Sequence, residues 1–524
     1  MKTMRICATL LLVAGVILVV LAQGPKKIPF TIGKETTIIT APLHTNGTPD
    51  YVAAINERYR KGITPENNAF VAWLEVIGTD SISEKRRAQM LKMCGAKESP
   101  SLWTEYGDFL KRRGIVEAAA KAAEDDQTKA TKRLWDAKDF PLVAEWLKEN
   151  DAALDKTKEA FSRSKYWMPS VAYNGRSMIS VLLPSLPMMK PAANGLCARA
   201  TLRAKAGDFD GFLSDVMAVK RMARHVSQKT TIACLVGVAI DSIASRCIGA
   251  VAGSGILSAK QCAELEKAIN ALEPLPRIWE AVDISERWYA LDNVAMLTTD
   301  REKQPDSDLL FEGLPLTKGP PFSQVVDLAS VDWDAVMKRI NRVYDTLLEH
   351  MKKTDWEEMK RESDKLISQE TEGLGTDPKL GIFGAVSVAW LKKREEGGGE
   401  TREAYTHRIG GGMISLSVSS TLGSAEILYR RSVMEHEMAK SVIAASRYRA
   451  EEGQWPEGLD ALVPEYLKEV PTDMYSGKNV LYVRGEKGIR VYSVGPNRQD
   501  DGGIPNEVKD GKHTGDFVIG VEVE

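Results

Sequence analysis

The chain lacks the local patterns by which a sequence usually announces a reaction. It has no GxSxG nucleophile elbow, and Gly410-Gly411-Gly412 is not followed by the Lys-Ser/Thr of a phosphate loop. The stretch MEHEMAK around His436 lacks the second histidine of an HExxH zinc helix. Histidines are few. His225 and His436 fall on helical stretches, and His44, His407 and His513 fall in stretches that read as loops, so no histidine site is expected. Six cysteines are present, none in CxxC spacing, which argues against a zinc site. Most sit on apolar helical faces, where a thiol acts as a small hydrophobe. An oxidising compartment would allow one disulfide, whose partners the spacing does not assign. An excess of charge of one sign is also missing. The net charge is −2, and Lys and Arg form no stripe interleaved with aromatics, which argues against nucleic acid as a partner. With 43% hydrophobic and 27% charged residues, the composition is that of an ordinary folded protein, and 524 residues are long enough for about two to four domains.

The N-terminus reads as a targeting segment. Lys2 and Arg5 precede an uncharged apolar run from Ile6 to Ala22, and Val20 and Ala22 fit the small-residue pattern for cleavage before Gln23. No cysteine follows the run, which argues against a lipid anchor. A cleaved signal peptide over 1–22 is therefore expected, and the alternative is an uncleaved signal anchor, for which the run is short. Either way the chain is expected to be exported, to a periplasmic or extracellular location, with membrane contact only if the segment is retained.

Residues 23–47, with Pro25, Pro29 and a TTIIT run, read as an extended linker. Residues 48–299 read as one helical domain. Thr64-Pro65-Glu66 and the Ser258–Gln261 capping box look like helix starts. Phe212, Val216, Val219, Met222 and Val226 share one helical face, as do Trp333, Val336, Ile340, Val343, Leu347 and Met351. Thr231–Ile240 is apolar nearly all round, as in a buried central helix. Ala206-Gly207-Asp208-Phe209 looks like a turn between helices, without a recurring period. Residues 300–326 read as a Pro/Gly linker. Residues 327–429 read as a helical region with a glycine hinge at 396–412, and 430–524 as a small α+β module. Within that module Val480–Val483 and Ile489–Val494 form a hairpin, and Phe517–Val523 adds a third strand. The fold class expected is mainly α, an irregular helical array closed by a helix plus three-stranded antiparallel sheet.

The last segment carries a resemblance. A helix ending in YRAEEGQWP, the stretch LDALVPEYLKEVPTD, and a tail of SVGPN followed by DDGG resemble the soluble region of the major pseudopilin of type II secretion. That resemblance implies a pseudopilin-like module with a structural calcium in the loop before the last strand. By the match, Asp501 and Asp516 would be its acidic ligands, with the carbonyl of Val494 beside them. The residues themselves point the same way: Asn497, Asp500, Asp501, Asp510 and Asp516 lie among glycines, and calcium takes six to eight hard oxygen ligands. The leader and early Glu of true pseudopilins are missing, which puts fibre assembly in doubt. DYVAAINERYRKGITPENNAFVAW and FPLVAEWLKEN, with the same tail, are also similar to large exported proteins of planctomycete-type bacteria, which implies a cell-envelope location.

These readings together lead to a non-enzymatic envelope protein with a helical body that binds other envelope proteins. Two alternatives stay open. One is an exported hydrolase using acids among Asp241, Asp283 and Glu286, which with Arg246 and Arg287 sit on otherwise apolar helices. The other is an accessory of a secretion or pilus-like machine. Internal ion pairs are the plainer reading of those charges.

Overall fold

The computed structural model describes residues 28–80, 82–172, 178, 181, 183, 185–299, 326–372, 400–417, 421–509 and 512–521. The signal segment 1–22, Asp510, residues 300–325 of the expected linker and residues 396–399 of the expected hinge lie outside these.

Helices make up most of the chain. They are α1 (Tyr51–Tyr59), α2 (Ala69–Ile77), α3 (Glu84–Cys94), α4 (Tyr106–Arg112), α5 (Glu117–Ala130) and α6 (Pro141–Glu149). There follow α7 (Asp151–Ser162), α8 (Leu186–Lys205), α9 (Phe209–Val226), α10 (Thr231–Gly253) and α11 (Ala259–Asn270). Next come α12 (Ile278–Ala281), which continues through one π-helical turn (Val282–Glu286) into α13 (Arg287–Thr299). The last four are α14 (Trp333–Met351), α15 (Trp356–Glu370), α16 (Arg402–Ser417) and the long α17 (Thr421–Glu452). No strand occurs among the described residues of 48–299.

Local chemistry explains the helix starts. Asp50, Asn68, Asp208, Thr230, Asp332 and Asp355 each accept a first-turn amide with a side-chain oxygen. Such a cap contributes about 1 kcal/mol. Ser258 and Gln261 form the reciprocal capping box expected from the sequence. Thr64 does not start a helix. It closes a turn with Asn67, and α2 begins only at Ala69, capped by Asn68. The expected faces on α9 and α14 are buried.

The core is organised around α10, which packs against α8, α9 and α17. It is also, among the described residues, the one helix long and apolar enough to cross a membrane, and two thirds of its apolar window is buried inside the protein. The C-terminal sheet is antiparallel in the order β1 (Leu481–Gly485), β2 (Gly488–Ser493), β5 (Phe517–Gly520). Between β2 and β5 lies a two-stranded pair, β3 (Glu507–Lys509) and β4 (Lys512–Thr514). The helix-plus-three-strand arrangement agrees with expectation.

The module also packs on the helical body. Residue 430 falls inside α17, and the sheet lies directly on α10. A Cβ at Gly249 would stand 2.4 Å from Ile519 Cγ2 and 2.9 Å from the Gly520 amide nitrogen. Glycine on the helix is what allows this approach, so body and tail share one interface.

Two further expectations are corrected. Gly410–Gly412 are helical, within α16. A Cβ at Gly410 would come within 3.3 Å of the Arg339 guanidinium, so the small residue serves close helix packing against α14. Residues 28–46 are docked rather than a free linker. Asn341 of α14 donates to the carbonyls of Glu35 and Thr36, and Tyr51 donates to the carbonyl of Thr37. Thr31 is bonded to Asp334.

Candidate functional site

A cleft of about 740 Å³ opens where the body meets the tail, a size within the range of about 300–1,000 Å³ common for ligand sites. One wall is α17, from Glu426 to Lys440. Opposite lie the end of α11 with residues 270–277, the end of α14 with residues 352–354, and residues 469–474 before the hairpin. Leu275, Met351, Val433, Met434 and Met474 supply apolar surface. Thioether side chains adapt readily to irregular partners. Val433 is 39% exposed on this wall.

The deepest polar group at this cleft is a buried cluster from three helices. Lys220 on α9 is fully buried. Its Nζ lies 2.9 Å from Asp241 Oδ2, 2.7 Å from Ser245 Oγ and 3.1 Å from His436 Nδ1. Arg224 donates to the other carboxylate oxygen of Asp241 at 2.8 Å. Burial alone would raise the Asp241 carboxyl, but Lys220 and Arg224 overcome this and hold it below the usual range. Burial lowers Lys220, and Asp241 partly offsets that. The His436 ring is pushed down to about 3, first by burial and then by Lys220. It is therefore neutral at ordinary pH. With Nδ1 accepting from the ammonium, the ring proton belongs on Nε2.

Glu426 is a second buried acid on this wall. Its Oε1 accepts from Arg430 at 2.8 Å, and among the described residues Oε2 has no hydrogen-bond partner. Burial raises its carboxyl, against the pull of Arg430. Arg430 is otherwise committed to the carbonyls of Met351, Lys353 and Thr354, tying α17 to the end of α14.

The acids singled out as hydrolase candidates are dispersed. Asp283 pairs with Arg287 at 3.0 Å, Arg287 with Asp345 at 2.7 Å, and Arg246 with Glu435 at 3.4 Å. Glu286 is raised by burial and accepts from the Ser285 hydroxyl at 3.5 Å. Only Asp241 of this group reaches the cleft, and both its oxygens are engaged.

The acidic loop of the tail is partly assembled. Asp501 Oδ2 accepts from Asn497 Nδ2 at 2.9 Å and from the Gly515 amide at 3.1 Å. Asp516 accepts from the amides of Gly503 and Asp501, at 2.7 and 3.4 Å. Asp500 turns towards the sheet, accepting from the Tyr492 hydroxyl at 3.1 Å. The Val494 amide donates to Asp473, a buried residue that also binds Ser493. Asp516 is raised by burial, and further by its neighbours Asp501 and Asp500. Among the described residues no three His, Cys, Asp or Glu side chains stand as a ready metal group. The repulsion felt by Asp516 and the all-oxygen donors nonetheless fit a hard divalent cation chemically.

No known protein family, curated protein or solved structure matches the chain.

Proposed function

We propose that this is a non-enzymatic, exported cell-envelope protein that holds a polypeptide segment of another envelope protein in the cleft between its helical body and its tail. The observation that carries the reading is the cleft surface: a methionine-containing apolar wall with an exposed Val433, rimmed by charges of both signs. Interfaces of this type combine an apolar centre with a polar rim. The neutral Nε2–H of His436 suits a backbone carbonyl of such a segment. The pairing of the buried charges supports binding over hydrolysis, because Asp241, Arg246 and Arg287 hold neighbouring helices together. Calcium in the Asp501–Asp516 loop would fix the last strand, and with it the tail side of the cleft.

The test is recovery of an envelope protein with the intact chain, repeated with Val433→Asp. The reading expects a discrete partner with the parent chain and loss of that partner with the variant, at unchanged thermal stability. Equal recovery from both would move the binding surface elsewhere. The hydrolase alternative rests on one observation, the raised Glu426 carboxyl in the same cleft. It requires turnover of a peptide or ester substrate that Glu426→Gln abolishes.

A further inference from the structure

Five cysteines lie in the described part of the chain, all buried and reduced in this structure. Three have separate surroundings. The Cys94 thiol rests on the Leu91 carbonyl of its own helix at 3.7 Å. Cys262 donates to Ser446 Oγ at 3.5 Å. Cys234 lies among the ionisable groups of the 280–286 turn, with Glu280 and Glu286 near it.

The other two meet. Cys197 on α8 and Cys247 on α10 are each fully buried, and the Cys247 thiol reaches the Cys197 carbonyl oxygen at 3.7 Å. The helices pack directly on each other. Ala193 and Ala200 flank Cys197 at helical spacing, and Ala244 and Ala250 flank Cys247, all fully buried. Small residues at these positions let two backbones come close, which a disulfide requires because its Cα atoms must lie within about 7 Å.

We propose that Cys197 and Cys247 form a disulfide when the chain folds under oxidising conditions, covalently joining α8 to the central helix α10. The step is thiol–disulfide exchange. One cysteine thiolate attacks a small-molecule disulfide and displaces one of its thiols. The second cysteine then attacks the mixed disulfide and displaces the other. Two cysteine thiols lose two protons and two electrons, and one small-molecule disulfide is reduced to two thiols.

Folding order follows from the same geometry. The Cys247 thiol is held up by its contact with the Cys197 thiol and by burial, and neither sulfur meets solvent. Exchange needs an accessible thiolate. The bond must therefore form before α8 and α10 dock, and the docked helices then shield it. The folded reduced chain should resist oxidation, and the folded oxidised chain should resist reduction. This inference stands independently of the binding reading above.

The experiment is refolding of the full reduced chain from denaturant, with and without oxidised glutathione, followed by non-reducing tryptic mass spectrometry. The oxidised sample should contain the peptide ending at Arg199 linked to the peptide beginning at Cys247, with two fewer titratable thiols than the reduced sample. The linked species should vanish on reduction under denaturing conditions and persist under native ones. Full thiol content after oxidative refolding, or linkage through Cys94, Cys234 or Cys262 instead, overturns the proposal. Cys247→Ala refolded in parallel should give no linked peptide. Any crosslink that it retains to Cys197 also counts against the pair.

Discussion

Replacing Lys220 by methionine keeps most of the side-chain volume and removes the ammonium at the centre of the buried cluster. Asp241 would then face only Arg224, while Ser245 and His436 would lose a hydrogen-bond donor. Removing one partner of a buried ion pair costs roughly 3–5 kcal/mol when the remaining charge is left unpaired, and because Arg224 still compensates Asp241 in part, the lower end of that range applies. Total stabilities are only about 5–15 kcal/mol, so the loss should be large. Lys220→Met combined with Asp241→Asn removes both formal charges, and the pair should lose clearly less than the sum of the single variants. A pH signature accompanies this. The His436 ring is held at about 3 in the fold, below its unfolded value of about 6.5. The unfolded chain binds the proton first, so this contribution is complete above about pH 6.5 and declines as pH falls towards 3. Over that window it amounts to roughly 4–5 kcal/mol, an order-of-magnitude value. Without Lys220, the ring loses the cation that helps to depress it, and the acid sensitivity from this residue should shrink. The assay is urea unfolding of the full chain by tryptophan fluorescence at pH 7 and pH 5. A Lys220→Met chain with the parent's midpoint and pH slope would refute the reasoning.

Other perturbations test separate parts of the account. Calcium should raise the melting temperature of the full chain, by the equivalent of roughly 2.7 kcal/mol at 100 times its dissociation constant. Asp501→Asn should erase the increment, and identical melting in calcium and chelator would leave the loop a polar turn. Asp516→Ala is expected to destabilise even without metal, since it strands the amides of Gly503 and Asp501. Gly249→Ala should cost about 1–3 kcal/mol by overpacking, because the new methyl meets Ile519 and the Gly520 backbone; unchanged thermal unfolding would contradict the tight seat of the sheet on α10. N-terminal sequencing of the envelope-fraction protein should begin at or near Gln23, whereas intact Met1 would defeat cleavage.

The helical body was legible in the sequence because burial on one face imposes a period that residues such as Phe212, Val216 and Val219 repeat openly. The capping box at Ser258 and the hairpin around Gly485–Gly488 were equally local signals. Glycine runs were less decisive. The same residue that frees a backbone also permits close packing, and at Gly410 and Gly249 the second role prevails. The cleft cluster was hidden because its members come from positions as distant as Lys220 and His436. A partial signal existed. Lys220 follows Val216 by one helical turn on a buried stretch, and Asp241 interrupts an apolar run. A cation and an anion so placed each demand a partner, but only the packing of α9 on α10 supplies the match. The Cys197–Cys247 meeting is likewise a product of helix packing that spacing alone could not assign.

The most direct measurement of the binding reading is site-specific photo-crosslinking in the intact chain. A photoreactive residue at Val433, on the cleft wall, should yield one adduct with a defined envelope polypeptide. The same group at Val116, exposed and outside the cleft, should not. Adducts of equal yield from both positions, or none from Val433 while the chain is folded in the envelope fraction, would contradict the assignment of the cleft as the binding surface.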